Sequence, residues 1–457
     1  MMRSTTIDPS DHKAFYRTVF TIAIPVALQS LLTQLVEASD SLMLSVLSQD
    51  ALSAISLATQ VHFVLNILFV FLNVVTSSMS AQYRGKEDIL SVEKTLAFAE
   101  KLSLSIGFVF FLAAFSMPGV LMKVFTNETV LIELGRQYLR IVSFSYLFMG
   151  LSSSYLSVMK NTDRVAKSSA FSSTAVVLNL IGNALLIYGL LGLPAMEIRG
   201  AALATVIARG VEAGLCLLES HRTKIGKLRL SLLLTDDKPI RIRFLSLLKG
   251  SLGNGIVWGF GTAMFSVIIG HLGSDAVAAN SLANIVRRLI LCLSMGVGNS
   301  AQIIIGRELG ADHFDTAKVY VKRLFHTGLS IAAVSGAILF ALTPTISSLA
   351  GTLSETARMY LRYMLYFNSF YVVGKTANSV FIHGCFYAGG DMRFGFICDL
   401  INLWCFILPV GALLAFVFRV PVLAVYCFLN LDEIVKIPAE YIHYRKFKWL
   451  RNFTVVE

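Results

Sequence analysis

Two acidic residues interrupt a long apolar stretch near the N-terminus. The segment QLVEASDSLML, residues 34–44, places Glu37 and Asp40 inside a run that is otherwise apolar from about Thr18 to Leu47. Their spacing of three residues puts both carboxyl groups on one face of a helix. Counting about 1.5 Å per residue, Asp40 lies roughly 33 Å along that helix. Desolvated carboxyl groups bind H+ readily and carboxylate oxygens also suit Na+, so this stretch predicts a cation site.

Three more polar side chains are expected at a similar depth in the same half of the chain. Asn179 and Asn183 lie one turn apart in the fifth predicted helix, and His62 lies early in the second. We therefore predict that these three residues complete a cation-coupling site with Asp40 and Glu37, and we expect no metal site beyond Na+ at Asp40. Two other interpretations stay open, because buried acids also pair with neighbouring bases and amides also form hydrogen bonds between helices.

The C-terminal half carries buried charges of the opposite sign. Lys375 and Asp399 lie on predicted helices that enter the membrane from opposite sides, and residue counting places both at a similar depth. We therefore predict either a structural ion pair or a gating pair. Arg287 and Arg288 lie near the middle of the eighth predicted helix, where lipid does not solvate a charge, and we expect one of them to face the cleft. Arg287 is the candidate for a gating or ion-pair role. Arg209 and Glu212, three residues apart, are expected to pair with each other.

The elements that position these residues are membrane-spanning helices. The chain has 457 residues, of which 55% are hydrophobic and 15% charged, and its mean hydropathy is +0.69. A spanning helix needs about 20 mostly apolar residues, and roughly a dozen stretches qualify. The apolar runs are long and continuous, which favours an all-α polytopic protein over a barrel of short alternating strands. We predict twelve transmembrane helices.

The distribution of basic residues predicts the orientation. Most Lys and Arg residues fall in loops on the side of the N-terminus, for example Arg84, Lys160 and Lys322. The positive-inside rule then places both termini in the cytoplasm, and we expect a bacterial inner membrane with no cleaved signal peptide. The formal net charge of +11 reflects this topology and contact with anionic headgroups, so we expect the lipid bilayer as a partner and no nucleic acid.

The two halves of the chain resemble each other. LSQDALSAISLA from Leu47 is similar to LGSDAVAANSLA from Leu272, and QYLRIVSFSY from Gln137 is similar to MYLRYMLYFNSF from Met359. A repeat in the same order predicts two six-helix lobes as a parallel internal repeat with a central cleft. The predicted parts are a cytoplasmic segment 1–17, an N-lobe 18–220, a cytoplasmic linker 221–249, a C-lobe 250–443 and a basic cytoplasmic tail 444–457.

Several motifs resemble the multidrug and toxic compound extrusion (MATE) family. They are ASDSLMLSVLSQDALSAISLATQ, SAQYRGKED, NLIGNALLIYGLLGLPAMEIRGAALATVIAR, GSDAVAANSLANIVR, GRELGAD, AGGDMRFGFICD and KWLRNFT. The resemblance implies export of organic cations or amphipathic compounds against H+ or Na+. It also matches Asp40 and Asn179 to the family's first-helix acid and fifth-helix amide. Two positions depart from the pattern: Gly255 stands where similar transporters often have an acid, and Tyr387 where they usually have Arg.

The leading functional hypothesis is a secondary-active antiporter that works by alternating access. It needs a small-molecule substrate, no cofactor beyond the coupling ion, and one copy of the chain. Two alternatives remain open: a lipid or lipid-linked glycan flippase, for which basic C-lobe residues suit an anionic headgroup, and an uncoupled receptor or scaffold. HExxH, GxSxG and P-loop motifs do not occur in the sequence, so an enzyme or a nucleotide-driven pump is not predicted.

Overall fold

A computed structural model describes residues 11–45, 48–192, 194–351 and 353–455. Within α1, the side chains at positions 38, 40–42, 44 and 45 lie outside this description. The described residues are mostly helical and contain no strand, which confirms the predicted all-α class.

Helices follow one another along the chain with short connections. In the first half they are α1 (His12–Ser45), α2 (Gln49–Gly85), α3 (Ile89–Ser116), α4 (Pro118–Lys123), α5 (Thr129–Asn161), α6 (Val165–Tyr188) and α7 (Glu197–Arg222). In the second half they are α8 (Leu230–Leu234), α9 (Lys238–Gly270), α10 (Ser274–Gly310), α11 (Phe314–Leu349), α12 (Glu355–Asn378), α13 (Met392–Asp399), α14 (Leu408–Ala412), α15 (Val422–Leu429), α16 (Asp432–Val435) and α17 (Ile437–Arg445).

Three π-helical segments continue helices of the second half. They are π1 (Ser379–Tyr387) after α12, π2 (Leu400–Ile407) after α13 and π3 (Leu413–Val417) after α14. A π-helical turn inserts an extra residue and changes the direction of the side chains that follow, and such turns are frequent at functional sites. Asn378 and Asp399 lie directly before π1 and π2.

Ten helices among the described residues are long and apolar enough to cross a membrane. Two further groups of consecutive helical segments, called helical columns below, occupy the parts of the chain where the tenth and twelfth transmembrane helices are predicted. The first is α12 with π1, and the second is α15–α17, whose α-helical segments are separated by short turns near Asn430 and at Lys436. Both columns carry several charged residues, so composition alone does not identify them as spans.

The chain folds as two compact units. The N-terminal unit contains Leu28–Ser80 and Asp88–Leu245, and the C-terminal unit contains the residues through Ala27, Ala81–Glu87 and the chain from Ser246 onward. Helices α1 and α2 therefore contribute residues to both units. The predicted lobe limits at residues 18–220 and 250–443 remain a prediction.

Close helix packing in the N-terminal unit depends on small residues. A Cβ atom on Gly107 of α3 would lie 2.6 Å from the carbonyl oxygen of Tyr146 in α5, and one on Gly150 would lie 2.9 Å from that of Ser103. The hydroxyls of Ser103 and Ser154 are 2.7 Å apart across the same contact. Small residues and hydroxyl hydrogen bonds are the usual means of joining helices in lipid, where the hydrophobic effect gives no drive.

The C-terminal segment of the chain is docked within the C-terminal unit. Gln82, at the end of α2, donates to the carbonyl oxygens of Ala388 (2.7 Å) and Arg451 (3.2 Å), and it accepts from the backbone N–H of Phe453 (3.0 Å). The Trp449 side chain is fully buried nearby. The KWLRNFT motif is thus a structural element of this unit.

All six cysteines lie in the described residues and none is in a disulfide. Four are buried, Cys427 is half-buried and Cys405 is exposed.

Candidate functional site

In the N-terminal unit the end of α6 contacts the C-terminal part of α1. The Tyr188 hydroxyl, at the end of α6, donates a 2.8 Å hydrogen bond to the carbonyl oxygen of Met43 in α1. Met43 lies three residues beyond Asp40, and Tyr188 lies five residues beyond Asn183. This bond therefore joins the end of α6 to α1 close to its acidic stretch.

Asn179 of α6 lies at the contact with α7. The amide nitrogen of Asn179 donates to the hydroxyl of Thr205 at 3.1 Å, and that hydroxyl donates to the Ala201 carbonyl at 3.0 Å. Asn179 is half-buried, whereas only 4% of Asn183 is exposed. Thr205, a hydroxyl within reach of Asn179, was not identified from the sequence.

The remaining residues predicted for this site differ in how far their side chains are exposed to solvent. Glu37 is exposed and accepts a hydrogen bond from Gln34 at 3.4 Å. His62 is half-buried, and its ring centroid lies 6.1 Å from that of Tyr146 in α5. The side chain of Asp40 lies outside the described residues. The cation-coupling role predicted for these groups remains a prediction.

The C-terminal unit contains a chain of buried charges. The Lys375 ammonium lies 2.7 Å from Glu433, Glu433 lies 3.2 Å from Lys436, and Lys436 lies 3.1 Å from Asp399. The side chains of Glu433, Lys436 and Asp399 are each less than a tenth exposed, whereas Lys375 is 28% exposed. Lys375 and Asp399 thus belong to one network, but each contacts a residue of the last helical column instead of the other.

Neutral side chains extend this network to α9 and π1. The Asn254 amide donates to Asp399 at 2.7 Å and accepts from the Tyr387 hydroxyl at 2.9 Å. Tyr387 is the residue that stands where the family pattern has Arg, and here it orients Asn254 toward an acid. Asn378 donates to the Glu433 carboxylate at 2.6 Å.

Arg287 is held by neighbours in the same unit. Its guanidinium donates to Asn430 at 2.5 Å and to Asn284 at 2.6 Å, and it lies 5.0 Å from the ring centroid of Tyr371. Cation–π and amide partners lower the cost of keeping a guanidinium away from water. It remains a prediction that Arg287 or Arg288 faces the cleft.

The sequence analysis missed the acids and the lysine of the last helical column. They lie in LNLDEIVKIPAEYIHY, residues 429–444, as Asp432, Glu433, Lys436 and Glu440. All four are buried. Their spacing of three or four residues within an apolar stretch is the signal that identifies a buried polar face.

The structure thus contains two polar regions inside apolar helices, one in each unit. The family model MatE matches residues 25–185 and, a second time, residues 252–413. The chain belongs to the MatE family. The two matches follow the internal repeat predicted from the sequence, and the MatE fold confirms the predicted two-repeat helical architecture.

Curated relatives of this MatE chain span nearly its whole length. The uncharacterized transporter YisQ of Bacillus subtilis is 21% identical over 99% of this chain and 98% of that protein. The probable multidrug resistance protein NorM of Thermotoga maritima is 20% identical over 94% of this chain and 92% of its own length.

Solved structures share the fold. A crystal structure of MATE in complex with MaL6 superposes with a TM-score of 0.86 at 16% identity and covers 94% of this chain and 96% of that one. A transporter of the MOP superfamily from Pyrococcus furiosus Vc1, described as having a binding pocket of reverse polarity that suggests a different function, gives 0.85 at 16% identity, covering 94% and 95%. At these identities the similarity supports the fold alone.

Proposed function

We propose that this MatE transporter is a secondary-active multidrug exporter that exchanges organic cations or amphipathic compounds for H+ or Na+. The observation that carries the proposal is the match of both repeats to one family whose full-length relatives include probable multidrug resistance proteins. Export in a bacterial inner membrane, with both termini in the cytoplasm and one chain as the working unit, belongs to the same proposal.

The coupling ion binds, in this proposal, between α1 and α6 of the N-terminal unit. The Tyr188–Met43 hydrogen bond supports this position because it joins the end of the helix that carries Asn179 and Asn183 to α1, three residues beyond Asp40. A carboxyl group beside amide oxygens suits either ion: Na+ prefers several oxygen ligands, whereas a desolvated carboxyl retains a proton.

Transport then requires that the ion bind the two access states with different affinity. An ion that binds both states equally shifts no equilibrium, however tightly it binds. In the proposed cycle, ion binding at Asp40 favours release of substrate to the outside, and ion release to the cytoplasm restores the inward-open state. The coupling free energy is reciprocal, so bound substrate weakens ion binding by the same factor.

The C-terminal unit supports a cationic or amphipathic substrate over an anionic lipid headgroup. Both of its predicted cations are engaged locally, Lys375 by Glu433 and Arg287 by Asn430 and Asn284. A lysine paired with a buried carboxylate presents little net charge to an anion, because Coulomb attraction depends on the sum of both charges. The flippase alternative would need these contacts to break.

The test is efflux of a fluorescent organic cation from proteoliposomes under a Na+ gradient and, separately, a pH gradient. Wild type is compared with Asp40→Asn, and Asp50→Asn serves as the control because Asp50 is an exposed acid at the start of α2. We expect one gradient to drive efflux, Asp40→Asn to abolish it, and Asp50→Asn to leave it unchanged.

Two results contradict the proposal in different ways. Efflux that persists in Asp40→Asn removes that carboxyl from the coupling step. Absence of efflux under either gradient, with folded wild-type protein, contradicts cation export and favours an anionic or lipid-linked substrate.

A further inference from the structure

One carboxyl group of the C-terminal unit is buried without any hydrogen-bond donor. Glu440 in α17 is fully buried, and neither of its oxygens accepts a hydrogen bond from a described residue. An ionised carboxylate in that condition costs several kcal/mol, about the penalty for an isolated buried charge. A neutral carboxyl avoids most of this cost.

The charges around Glu440 lead to the same conclusion. The surrounding charged and titratable groups come from α12, π1, α13 and the last helical column, and they are Lys375, Cys385, Tyr387, Cys398, Asp399, Glu433 and Lys436. The network also includes Asp432, whose carboxylate and that of Glu433 interact with Arg287. His383 of π1, whose Nδ1 atom is buried, also interacts with Lys375, Lys436, Asp399 and Glu433. Four carboxyl groups (Asp399, Asp432, Glu433 and Glu440) thus face three cations (Lys375, Lys436 and Arg287), so full ionisation of these seven groups beside a neutral His383 leaves one buried negative charge without compensation.

Two of the other three acids of the network have cationic or amide donors. Asp432 has one carboxyl oxygen that is buried without a donor from a described residue, whereas Glu440 has two. Glu433 contacts Lys375, Lys436 and Asn378, and Asp399 contacts Lys436 and Asn254. The described residues contain no group of three His, Cys, Asp or Glu side chains arranged to hold a metal ion. A proton on Glu440 is therefore the simplest way to balance the charge.

A path for that proton follows one helix face. Glu433, Lys436, Glu440 and His443 are spaced three, four and three residues apart, which aligns them along a single side of α16 and α17. The backbone at Lys436, between the two helices, keeps right-handed helical angles of φ −81° and ψ −18°. The face is therefore continuous across the junction.

The end of this face reaches water. The His443 ring lies 2.7 Å from the Asp391 carboxylate, and these side chains are 13% and 19% exposed. Asp391 also lines a cavity of about 280 Å³ together with Gly390, Arg393 and Arg451. An imidazole accepts a proton on one ring nitrogen and donates one from the other, which suits a relay between water and a buried acid.

We propose that Glu440 is a proton-binding site of the C-terminal unit, and that its proton exchanges with water through the His443–Asp391 pair. This site lies in a different unit from the coupling site proposed at Asp40. It does not depend on that proposal, and the experiment below measures proton occupancy without transport.

The experiment is infrared spectroscopy of the full-length reconstituted protein over a pH series. A protonated carboxyl gives a C=O stretch above the amide I band, and the wild type minus Glu440→Gln difference isolates the band of Glu440. We expect the variant to lose one such band at neutral pH. Glu440→Asp should keep it at a shifted frequency, which also covers the case in which the Gln variant does not fold.

Three controls make the assignment specific. Glu219→Gln removes a carboxylate paired with Arg164 and Lys167, so it should lose no protonated band. Asp40→Asn should keep the Glu440 band. Glu100, also fully buried with no donor to either oxygen, contributes a band of its own that Glu440→Gln should retain.

The exchange route is tested with His443→Phe. The His443 ring stacks on Phe394 at a centroid distance of 3.7 Å, and Phe preserves that contact while removing the titratable nitrogens. We expect the deuterium shift of the Glu440 band to develop more slowly than in wild type. An unchanged exchange rate overturns the route. The proposed proton site at Glu440 is overturned if Glu440→Gln gives the same spectrum as the wild type at every pH. It is also overturned if the band is lost in Asp40→Asn instead.

Discussion

The Lys436 ammonium lies 3.1 Å from the Asp399 carboxylate, with only 3% and 8% of the two side chains exposed. This pair joins the last helical column to α13, directly before π2. Buried pairs of this kind are costly to assemble, and removing one partner leaves the other charge without compensation. The network therefore makes distinct predictions for single and paired substitutions.

Replacing Lys436 with Met should destabilise the protein strongly. The change removes the cation that contacts both Asp399 and Glu433. Loss of one partner of a buried ion pair costs about 3–5 kcal/mol. The measurement is the free energy of unfolding in detergent, or the temperature at which the monodisperse peak is lost.

Two further variants check the reason for that loss. Arg136→Met breaks an ion pair with Glu133 whose side chains are 52% and 57% exposed, so it should cost less than about 1 kcal/mol. Lys436→Met combined with Asp399→Asn should cost less than the sum of the two single changes. Strict additivity would contradict a direct coupling between these residues.

Two glycines of one helix should respond oppositely to Ala. A Cβ atom on Gly200 would lie 2.5 Å from the Leu186 carbonyl oxygen, whereas nothing lies within 4 Å of one on Gly214. Gly200→Ala should separate α6 from α7 and lower stability. Gly214→Ala should be neutral or stabilise by about 0.5–1 kcal/mol, because Ala favours a helix interior. Equal thermal shifts for the two variants would contradict this packing of α6 on α7.

Arg229→Ala should release the linker that follows α7. Arg229 lies 2.7 Å from Glu93, whose side chain is fully buried and also accepts from the Lys227 backbone N–H at 3.1 Å. Without Arg229 this acid keeps only the backbone donor, so the contact between linker and α3 weakens. We expect faster thermolysin cleavage within residues 227–237.

The matched control for the linker is Arg241→Ala. Arg241 pairs with Asp236, but these side chains are 41% and 49% exposed, so the pair contributes little. Its cleavage rate should equal that of wild type. Protection of the linker in Arg229→Ala would mean that other contacts hold it.

Asp237 should make stability depend on pH only in acid. Burial disfavours its charged form, but hydrogen bonds from Lys94 and from the Ile240 backbone N–H outweigh burial and lower its pKa below the usual 3.8. A depressed pKa stabilises the fold above the unfolded-state value and loses that effect as pH falls through the folded-state value. Asp237→Asn should therefore melt below wild type at neutral pH and approach it in acid. A constant gap across a thermal-shift series from pH 7 down to about 3 would refute this linkage.

The sequence predicted features that depend on local pattern. Apolar length predicted the helical class, the repeat predicted the two MatE matches, and a spacing of three residues predicted the Arg209–Glu212 pair, which the structure places at 2.9 Å. Each of these signals is visible either in neighbouring residues or in the comparison of the two halves of the chain.

Partners far apart in sequence were not predictable in the same way. Lys375 and Glu433 are 58 residues apart, and Asn254 and Asp399 are 145 apart. Counting residues along each predicted helix placed Lys375 and Asp399 at a similar depth in the membrane. Depth alone does not determine the direction in which a side chain points from its helix. The π-helical turns after Asn378 and Asp399 add a rotation that a regular helical count does not include.

Because the cysteines differ in burial, the wild-type chain offers an exposed thiol to which a probe can be attached. Cys405 is exposed on π2 within an apolar span, whereas four other thiols are buried. A membrane-soluble maleimide should modify Cys405 first, six residues beyond Asp399 on the same helical column. A nitroxide or fluorophore at that thiol would report movement beside the charge network without any engineered cysteine.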